Sequence, residues 1–200
     1  MSCASDSRVV LTLDAGGTKF AFSAVQGDRE VVESVILPSN AHDLTLCLDT
    51  IVLGFTKVKE QAPAPPVAIS FAFPGPADYP TGIIGDLGNL PAFKGGGIAL
   101  GPMLEDRFGV PVFMNNDGDL FALGEAIAGL LPWANGLLAA GGSPKRFRNL
   151  FGATFGTGFG GGIVQDGRLW QGDNSAGGEI WLFRNKLDPR SNIEEAVSIR

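Results

Sequence analysis

Two short turns rich in glycine, each lying between apolar segments of strand length, restrict what this chain can fold into. The first turn separates the segments Arg8 to Asp14 and Lys19 to Val25, and the second separates Asn149 to Thr154 from Gly162 to Gln165. A Walker A loop and a dinucleotide-binding turn both lead directly into a helix, whereas a strand follows each turn here. The pattern therefore predicts strand–turn–strand units, with antiparallel pairing at the first of them.

The composition favours a compact α/β protein without a nucleic-acid partner. Of the 200 residues, 44% are hydrophobic, 18% are charged and 29 are glycine, which is typical of a loop-rich fold with close backbone packing. The net charge of −6 provides no basic face for a duplex. We interpret the one basic cluster, Lys145, Arg146 and Arg148, as a solvated loop.

The sequence carries no signal for export or membrane insertion. The segment Met1 to Arg8 lacks the apolar core of a secretory signal, and no uninterrupted apolar run approaches the roughly 18–20 residues of a membrane span. Cys3 and Cys47 lie far apart, without pairing or metal-ligand spacing. We expect a cytoplasmic, reduced protein with no membrane partner.

Hydrophobic periodicity predicts the remaining elements of the chain. The expected strands and helices are Glu30 to Leu37 (strand), Asp43 to Lys59 (helix), Val67 to Phe73 (strand), Ile98 to Phe108 (helix), Pro111 to Asn115 (strand) and Asp117 to Gly129 (helix). Pro74 to Gly97 is predicted to be a long structured loop, a kind of segment that is often functional. Leu130 to Pro144 is predicted to be a glycine-rich excursion, and a helix beginning near Ile193 suggests the front part of a longer fold.

The first turn, Asp14-Ala15-Gly16-Gly17-Thr18-Lys19, has the residue types of a phosphate loop. Paired glycines allow backbone N–H groups to approach a polyphosphate, and the Thr18 hydroxyl can donate to it. Asp14 at a strand end can hold Mg²⁺ through water, because Mg²⁺ retains several waters beside a few carboxylates. A plain Gly-Gly hairpin turn explains the same residues equally well.

The second turn contains Gly156, Thr157 and Gly158 within the run GTGFGGG. Its likeness to the first suggests two homologous lobes, each presenting a phosphate loop. The alternative is a flexible turn, although the five glycines of this run lose more conformational entropy than a simple turn requires.

Polar residues near the middle of the chain are candidates for catalysis and substrate binding. Asp117, in Asn115-Asn116-Asp117, is either the N-cap of the following helix or a general base for an attacking hydroxyl. Asn89 in the long loop and Glu179 after a run of small residues could bind sugar hydroxyls, or could be solvated loop residues.

Four ordered motifs together resemble the ROK family, within the sugar kinase/Hsp70/actin superfamily. They are LTLDAGGTKFAF, then FPGP with GNLPAF, then NNDGDLFALGE, and finally FGTGFGGGIVQDGRLWQGDNSAGGEI. Each motif is weak alone, whereas the ordered set is specific and covers nearly the whole chain from Val9 to Ser198.

The resemblance implies a ribonuclease H-like (actin/hexokinase-type) two-lobed α/β fold, with mixed sheets flanked by helices and an incomplete C-terminal lobe. It places the N-terminal lobe at residues 1–117 and the start of the C-terminal lobe at 118–200. It also implies ATP-dependent phosphorylation of a hexose or N-acetylhexosamine hydroxyl, with Mg²⁺ and a homodimer. The residue roles that it implies are phosphate binding by Asp14, Gly16, Gly17, Thr18, Lys19, Gly156, Thr157 and Gly158, general base catalysis by Asp117, and sugar binding by Gly75, Asn89, Asn116, Asp117, Glu179 and Glu194.

Two departures from the family pattern affect these expectations. Many members carry a Gly-His after the Glu179-Ile180 position and then a cysteine-rich zinc cluster, but here Trp181-Leu182 follow and no cysteine occurs after Cys47. We therefore expect no structural zinc and the loss of one sugar contact. The missing histidine leaves a second hypothesis open, a catalytically silent sugar-binding or sugar-sensing ROK protein.

Overall fold

The computed structural model describes residues 5–88, 90–156, 158–173 and 176–198. The chain divides into two compact units, with the boundary between Asn116 and Asp117. The sequence-based domain boundary lies one residue later.

The first unit is a mixed sheet with two helices. Its elements are β1 (Val9–Ala15), β2 (Lys19–Gln26), β3 (Arg29–Glu30), β4 (Val35–Pro38), α1 (Leu44–Gln61), β5 (Pro66–Ala72), β6 (Ala77–Asp78), β7 (Ile83–Ile84), a 3₁₀ helix (Pro91–Phe93), α2 (Leu100–Phe108) and β8 (Val112–Asn115). The main sheet has the order β3-β2-β1-β5-β8, with β4 also paired to β2. β1 runs antiparallel to β2, as predicted, and parallel to β5, which runs parallel to β8.

Alternating residues of the strands form the core of this unit. Leu11 of β1 and Phe20 and Phe22 of β2 are fully buried, as strand periodicity requires. α1 covers them with residues at helical spacing, and its Phe55 ring meets Phe22 edge-on at a centroid distance of 5.2 Å. The Asp43 carboxylate caps α1 by accepting a hydrogen bond from the Leu46 N–H at 3.0 Å.

The predicted strand from Glu30 to Leu37 is wrong, because the structure contains two short strands there. Val25 pairs with Glu30, whereas Phe22, three residues earlier, pairs with Val35, five residues later. Two extra residues must therefore leave the ladder between β3 and β4, as in a bulge. The residue types from Glu30 to Leu37 do not reveal such a change of register.

The long loop from residue 74 to residue 97 is structured, as predicted. It contains the β6–β7 hairpin and the 3₁₀ helix, and buried side chains such as Leu87, Leu90 and Phe93 anchor it to the core. The buried Tyr79 hydroxyl donates to the Phe73 carbonyl oxygen at 2.9 Å. These contacts hold the loop without long strands.

The second unit packs helices against a three-stranded sheet. Its elements are α3 (Asp117–Ile127), α4 (Leu130–Ala140), β9 (Leu150–Phe155), β10 (Phe159–Gln165), β11 (Arg168–Leu169), a 3₁₀ helix (Ile180–Leu182) and α5 (Glu194–Val197). The strands are antiparallel in the order β11-β10-β9. The hairpin predicted at Asp166-Gly167 joins β10 to β11, and both turn residues have positive φ, 49° and 75°.

Two predictions for this unit need correction. The segment from Leu130, predicted to be a glycine-rich excursion, is instead an 11-residue helix, α4. Pro132 does not interrupt this helix because it lies in the first turn, where proline is tolerated. Gly160 and Gly161, which were predicted to be in the turn, lie inside β10 together with Gly162. They are needed for close packing, since a Cβ at Gly162 would lie 2.8 Å from the Cβ of Ala122 on α3.

By length and composition alone, the run Asp117–Ala140, with a hydropathy of 1.3, could cross a membrane. This is weak evidence, because the core helix of a soluble protein passes the same test. The run is divided here into α3 and α4, and α3 packs against β9 and β10. The expectation of no membrane partner stays a prediction.

Candidate active site

The glycine turn of the first unit is an exposed loop that is hydrogen-bonded to Ser39. Asp14 and the turn residues Gly16 to Lys19 are exposed. Ser39, which is 2% exposed, donates its hydroxyl to the Gly17 carbonyl oxygen at 2.7 Å and its N–H to the Thr18 carbonyl oxygen at 3.0 Å. Ser39 thereby fixes the turn, a role that no sequence motif indicated.

Gly16 and Gly17 of this turn differ in the space around them. A Cβ at Gly16 would lie 2.9 Å from the Lys19 carbonyl oxygen, so the tightness of the turn requires glycine there. A Cβ at Gly17 would meet nothing within 4 Å, so the space beside Gly17 is open. Open space next to the backbone is what a phosphate group needs in order to approach it.

The residues of the first turn fit a magnesium ion. Asp14 presents an exposed carboxylate at the end of β1. One carboxylate suits Mg²⁺, which keeps several waters. Within the described ranges no three His, Cys, Asp or Glu side chains are grouped to hold a metal ion directly. The absence of a structural zinc remains a prediction.

The other predicted residues of the first unit lie in separate loops. Gly75 is exposed, and a Cβ there would lie 3.0 Å from the Tyr79 hydroxyl, so little space separates it from that ring. Asn116 is half-buried and donates its N–H to the Asn115 side-chain oxygen at 2.8 Å. Asn89 lies outside the described residues.

In the second unit, Asp117 is the first residue of α3 and is exposed. Its Oδ1 accepts a hydrogen bond from the Gly118 N–H at 2.8 Å, which restrains the side chain at the start of the helix. The prediction that Asp117 satisfies a helix terminus is thus compatible with an exposed, oriented carboxylate. The general-base role of Asp117 stays a prediction.

Sequence reasoning missed Asp119, two residues further along α3. Its side chain is 2% exposed, and its Oδ1 has no hydrogen-bond partner among the residues described. Burial, together with the weaker effect of the negative charges of Glu179 and Asp117, raises the pKa of Asp119 from 3.8 to about 6. In the sequence, an acid in the first turn of a helix gave no sign of burial, because acids are common there.

Glu179 lies directly before the 3₁₀ helix Ile180–Leu182 and is half-buried. Its Oε2 accepts a hydrogen bond from the indole N–H of Trp181. The tryptophan that replaces the expected glycine after Ile180 therefore contacts the candidate sugar-binding carboxylate. The sequence showed that replacement but not this contact.

The second glycine turn contacts Glu194 of α5. The Glu194 Oε2 accepts a hydrogen bond from the Phe159 N–H at 3.1 Å, and a Cβ at Gly158 would lie 3.1 Å from the same oxygen. A Cβ at Gly156 would meet nothing within 4 Å, which leaves open space there as at Gly17. Thr157 lies outside the described residues.

Comparison with known proteins shows which family carries this arrangement. The sequence profile of the ROK family matches residues 10–181. The chain belongs to the ROK family. An N-acetyl-D-glucosamine kinase from Vibrio vulnificus is 33% identical over 175 residues, which are 88% of this chain and 52% of that relative. The chain thus spans about half the length of the curated relatives it matches.

Solved structures of ROK proteins share its fold. A glucokinase from Parabacteroides distasonis matches with a TM-score of 0.89 at 58% identity, over 100% of this chain and 56% of that one. A ROK hexokinase from Thermus thermophilus matches with a TM-score of 0.74 at 25% identity, over 95% of this chain and 60% of that one. The prediction of a mixed α/β fold of the actin/hexokinase type is confirmed.

Proposed function

We propose that this ROK chain is part of an ATP-dependent kinase that phosphorylates a hydroxyl of a hexose or N-acetylhexosamine. The observation that carries the proposal is the exposed Asp117 carboxylate, oriented by the Gly118 N–H in the unit that also presents Glu179. The names of the relatives, N-acetyl-D-glucosamine kinase and glucokinase, support a sugar substrate. ATP is the proposed phosphate donor.

In the proposed mechanism Asp117 accepts the proton of the attacking sugar hydroxyl. Phosphoryl transfer needs little covalent help, so oriented groups and charge stabilisation provide most of the rate enhancement. Backbone N–H groups of the turns Gly16–Lys19 and Gly156–Gly158 would bind phosphate oxygens, with Thr18 and Thr157 as hydroxyl donors. Asp14 would hold Mg²⁺ through water, and the bound ion would neutralise phosphate charge.

Sugar binding is assigned to side chains that can pair with hydroxyl groups. Glu179, Asn116 and Glu194 are half-buried, so each side chain is restrained but still accessible. Asn89 and the backbone near Gly75 complete the proposed set. A homodimer, implied by the resemblance to the ROK family, and a cytoplasmic location, expected from the sequence, belong to the same proposal.

A second candidate function is a catalytically silent sugar-binding or sugar-sensing protein. The contact between Trp181 and Glu179 favours it, because the indole N–H occupies an oxygen that could otherwise accept a bond from the sugar. This reading predicts sugar binding without turnover.

The replacement Asp117→Asn tests the kinase function. In an ADP-release assay on the full-length gene product with Mg-ATP and a panel of hexoses and N-acetylhexosamines, we expect kcat to fall by roughly 10²–10⁴, the usual effect of losing a general base. Sugar binding should persist, because the amide keeps the shape of the carboxylate. Asp166→Asn, the same change at an exposed turn residue of the same unit, is the control and should leave kcat unchanged.

Three results would contradict the proposal in different ways. A kcat of Asp117→Asn close to that of the wild type would show that Asp117 is not the general base and acts only at the start of α3. Sugar-induced thermal stabilisation without turnover would establish the silent sugar-binding protein. Neither binding nor turnover with any sugar would exclude both functions.

A further inference from the structure

The buried carboxyl of Asp119 is not explained by the proposed roles of the site residues. It is 2% exposed, and no hydrogen-bond donor among the described residues reaches its Oδ1. An ionised carboxylate in this position would be a buried charge without a partner, which is strongly unfavourable, whereas a protonated carboxyl loses far less on burial.

The groups around Asp119 are mostly negative or uncharged, so they do little to stabilise an ionised carboxylate. Asp117 on the same helix and Glu179 both interact with it unfavourably when ionised. Glu125 lies more than one turn further along α3, where it accepts a bond from the Leu130 N–H at 2.6 Å. The packed elements α4, β9 and β10 carry no titratable side chain, and Arg168 of β11 is exposed.

The chain segment before Glu179 passes directly over the Asp119 carboxyl. A Cβ at Gly178 would lie 3.1 Å from the Asp119 Oδ1 and would overlap the Gly161 carbonyl oxygen. Below it, a Cβ at Gly162 would lie 2.9 Å from the Asp119 Cα. The segment bearing Gly178 and Glu179 therefore covers the Asp119 Oδ1, and its movement away would expose an ionised Asp119 to water.

A metal ion does not explain this cluster. Over the ranges that the structure describes, no three acidic, histidine or cysteine side chains are close enough to hold one. Binding of a proton would neutralise Asp119. Its pKa of about 6 places the titration in an accessible range.

We propose that Asp119 is a positioning residue that acts through Glu179, so that binding of the sugar is coupled to binding of one proton by Asp119. The protonated carboxyl allows the Gly178–Glu179 segment to stay seated, which presents Glu179 to the sugar. Ionisation favours displacement of that segment, so it weakens the sugar complex. The coupling rests on the proposed role of Glu179 in sugar binding.

Calorimetry of sugar binding tests the coupling without any need for catalysis. Binding of N-acetyl-D-glucosamine and of glucose to the full-length gene product is measured in two buffers of different ionisation enthalpy, at about pH 5.5, 7 and 8. With a pKa of about 6 in the seated state and an ordinary value in the displaced state, we expect uptake of about 0.7 proton at pH 5.5 and about 0.1 at pH 7, and a loss of affinity of about fourfold between pH 5.5 and 8. In Asp119→Asn, whose amide imitates the neutral acid, the proton uptake and this pH dependence should disappear while sugar binding persists.

Asp166→Asn is the matched control and should keep the wild-type proton uptake, because it removes an exposed carboxyl from the same unit. Sugar binding without proton uptake, or uptake that persists in Asp119→Asn, would overturn the coupling and leave the kinase proposal intact. If neither sugar binds to the wild type, the proposed function and the coupling both fail. If Asp119→Asn does not fold, a ¹³C titration of the wild-type aspartates decides: an Asp119 carboxyl titrating near pH 4 overturns the proposal.

Discussion

The buried carboxyl of Asp119 should make the stability of the protein depend on pH. Its pKa is raised from 3.8 to about 6 in the folded chain, mainly by burial. A carboxyl with a raised folded-state pKa contributes stability below its unfolded pKa, and the contribution is lost as the pH rises through the folded pKa. Wild-type stability should therefore contain a component that declines between about pH 4 and 6.

The replacement Asp119→Asn isolates this component. At pH 8 we expect the variant to be more stable than the wild type by up to about 3 kcal/mol, at about 1.4 kcal/mol per pKa unit, and the difference should shrink towards pH 4. Urea unfolding of both proteins across this pH range measures it. A difference that does not vary with pH would show that folding does not raise the pKa of Asp119.

Residue types at the candidate site were predictable, but their environments were not. The turns around Gly16 and Gly156 followed from residue type alone. Ser39 and Asp119 could not be found, since their contacts come from segments distant in sequence, at Gly17 and Gly178 respectively. Burial of an acid depends on which backbone passes over it, and a local pattern does not record that.

At the scale of elements, the packing of α1 on β2 depends on Gly54. A Cβ at Gly54 would overlap the ring of Phe22, which is itself held against Phe55 and Phe20. Gly54→Ala should therefore destabilise the protein by about 1–3 kcal/mol, because overpacking outweighs the gain in helix propensity. Thermal or urea unfolding measures the loss.

Gly124→Ala in α3 is the matched control for that change. A Cβ there would meet nothing within 4 Å, so only the propensity gain of about 0.5–1 kcal/mol remains and the variant should be as stable as the wild type or more so. Equal effects of the two replacements would show that the contact between Gly54 and Phe22 is not tight.

Helices that show a hydrophobic pattern in their own sequence were predicted well. Strands whose bounds depend on pairing with another strand were not. The spacing of Cys47, Ile51 and Phe55 was enough to locate α1, because one helix face is buried. The division into β3 and β4 could not be predicted, since the register along β2 decides it. Gly160 and Gly161 of β10 were assigned to a turn because the packing of these glycines against neighbouring elements is a tertiary contact.

For the whole molecule, the proposed chemistry requires Mg²⁺, whereas we predict that folding does not require a metal. Mg²⁺ is assigned to the exposed Asp14, while the core of the first unit is built from apolar side chains such as Phe20, Phe22 and Phe55. We expect EDTA to abolish sugar phosphorylation by the full-length gene product and to leave its melting temperature nearly unchanged, with activity restored by excess Mg²⁺. A large drop in melting temperature would reveal a structural metal.

The aromatic residues are divided unequally between the two units, and this gives the protein two separate optical reporters. Trp133, Trp170 and Trp181 are its three tryptophans, and all belong to the second unit. The single tyrosine, Tyr79, lies in the first unit, within the phenylalanine-rich core. Excitation at the red edge of indole absorption therefore records only the second unit, where Trp181 contacts Glu179. Emission from that unit can follow ligand binding and unfolding without a label.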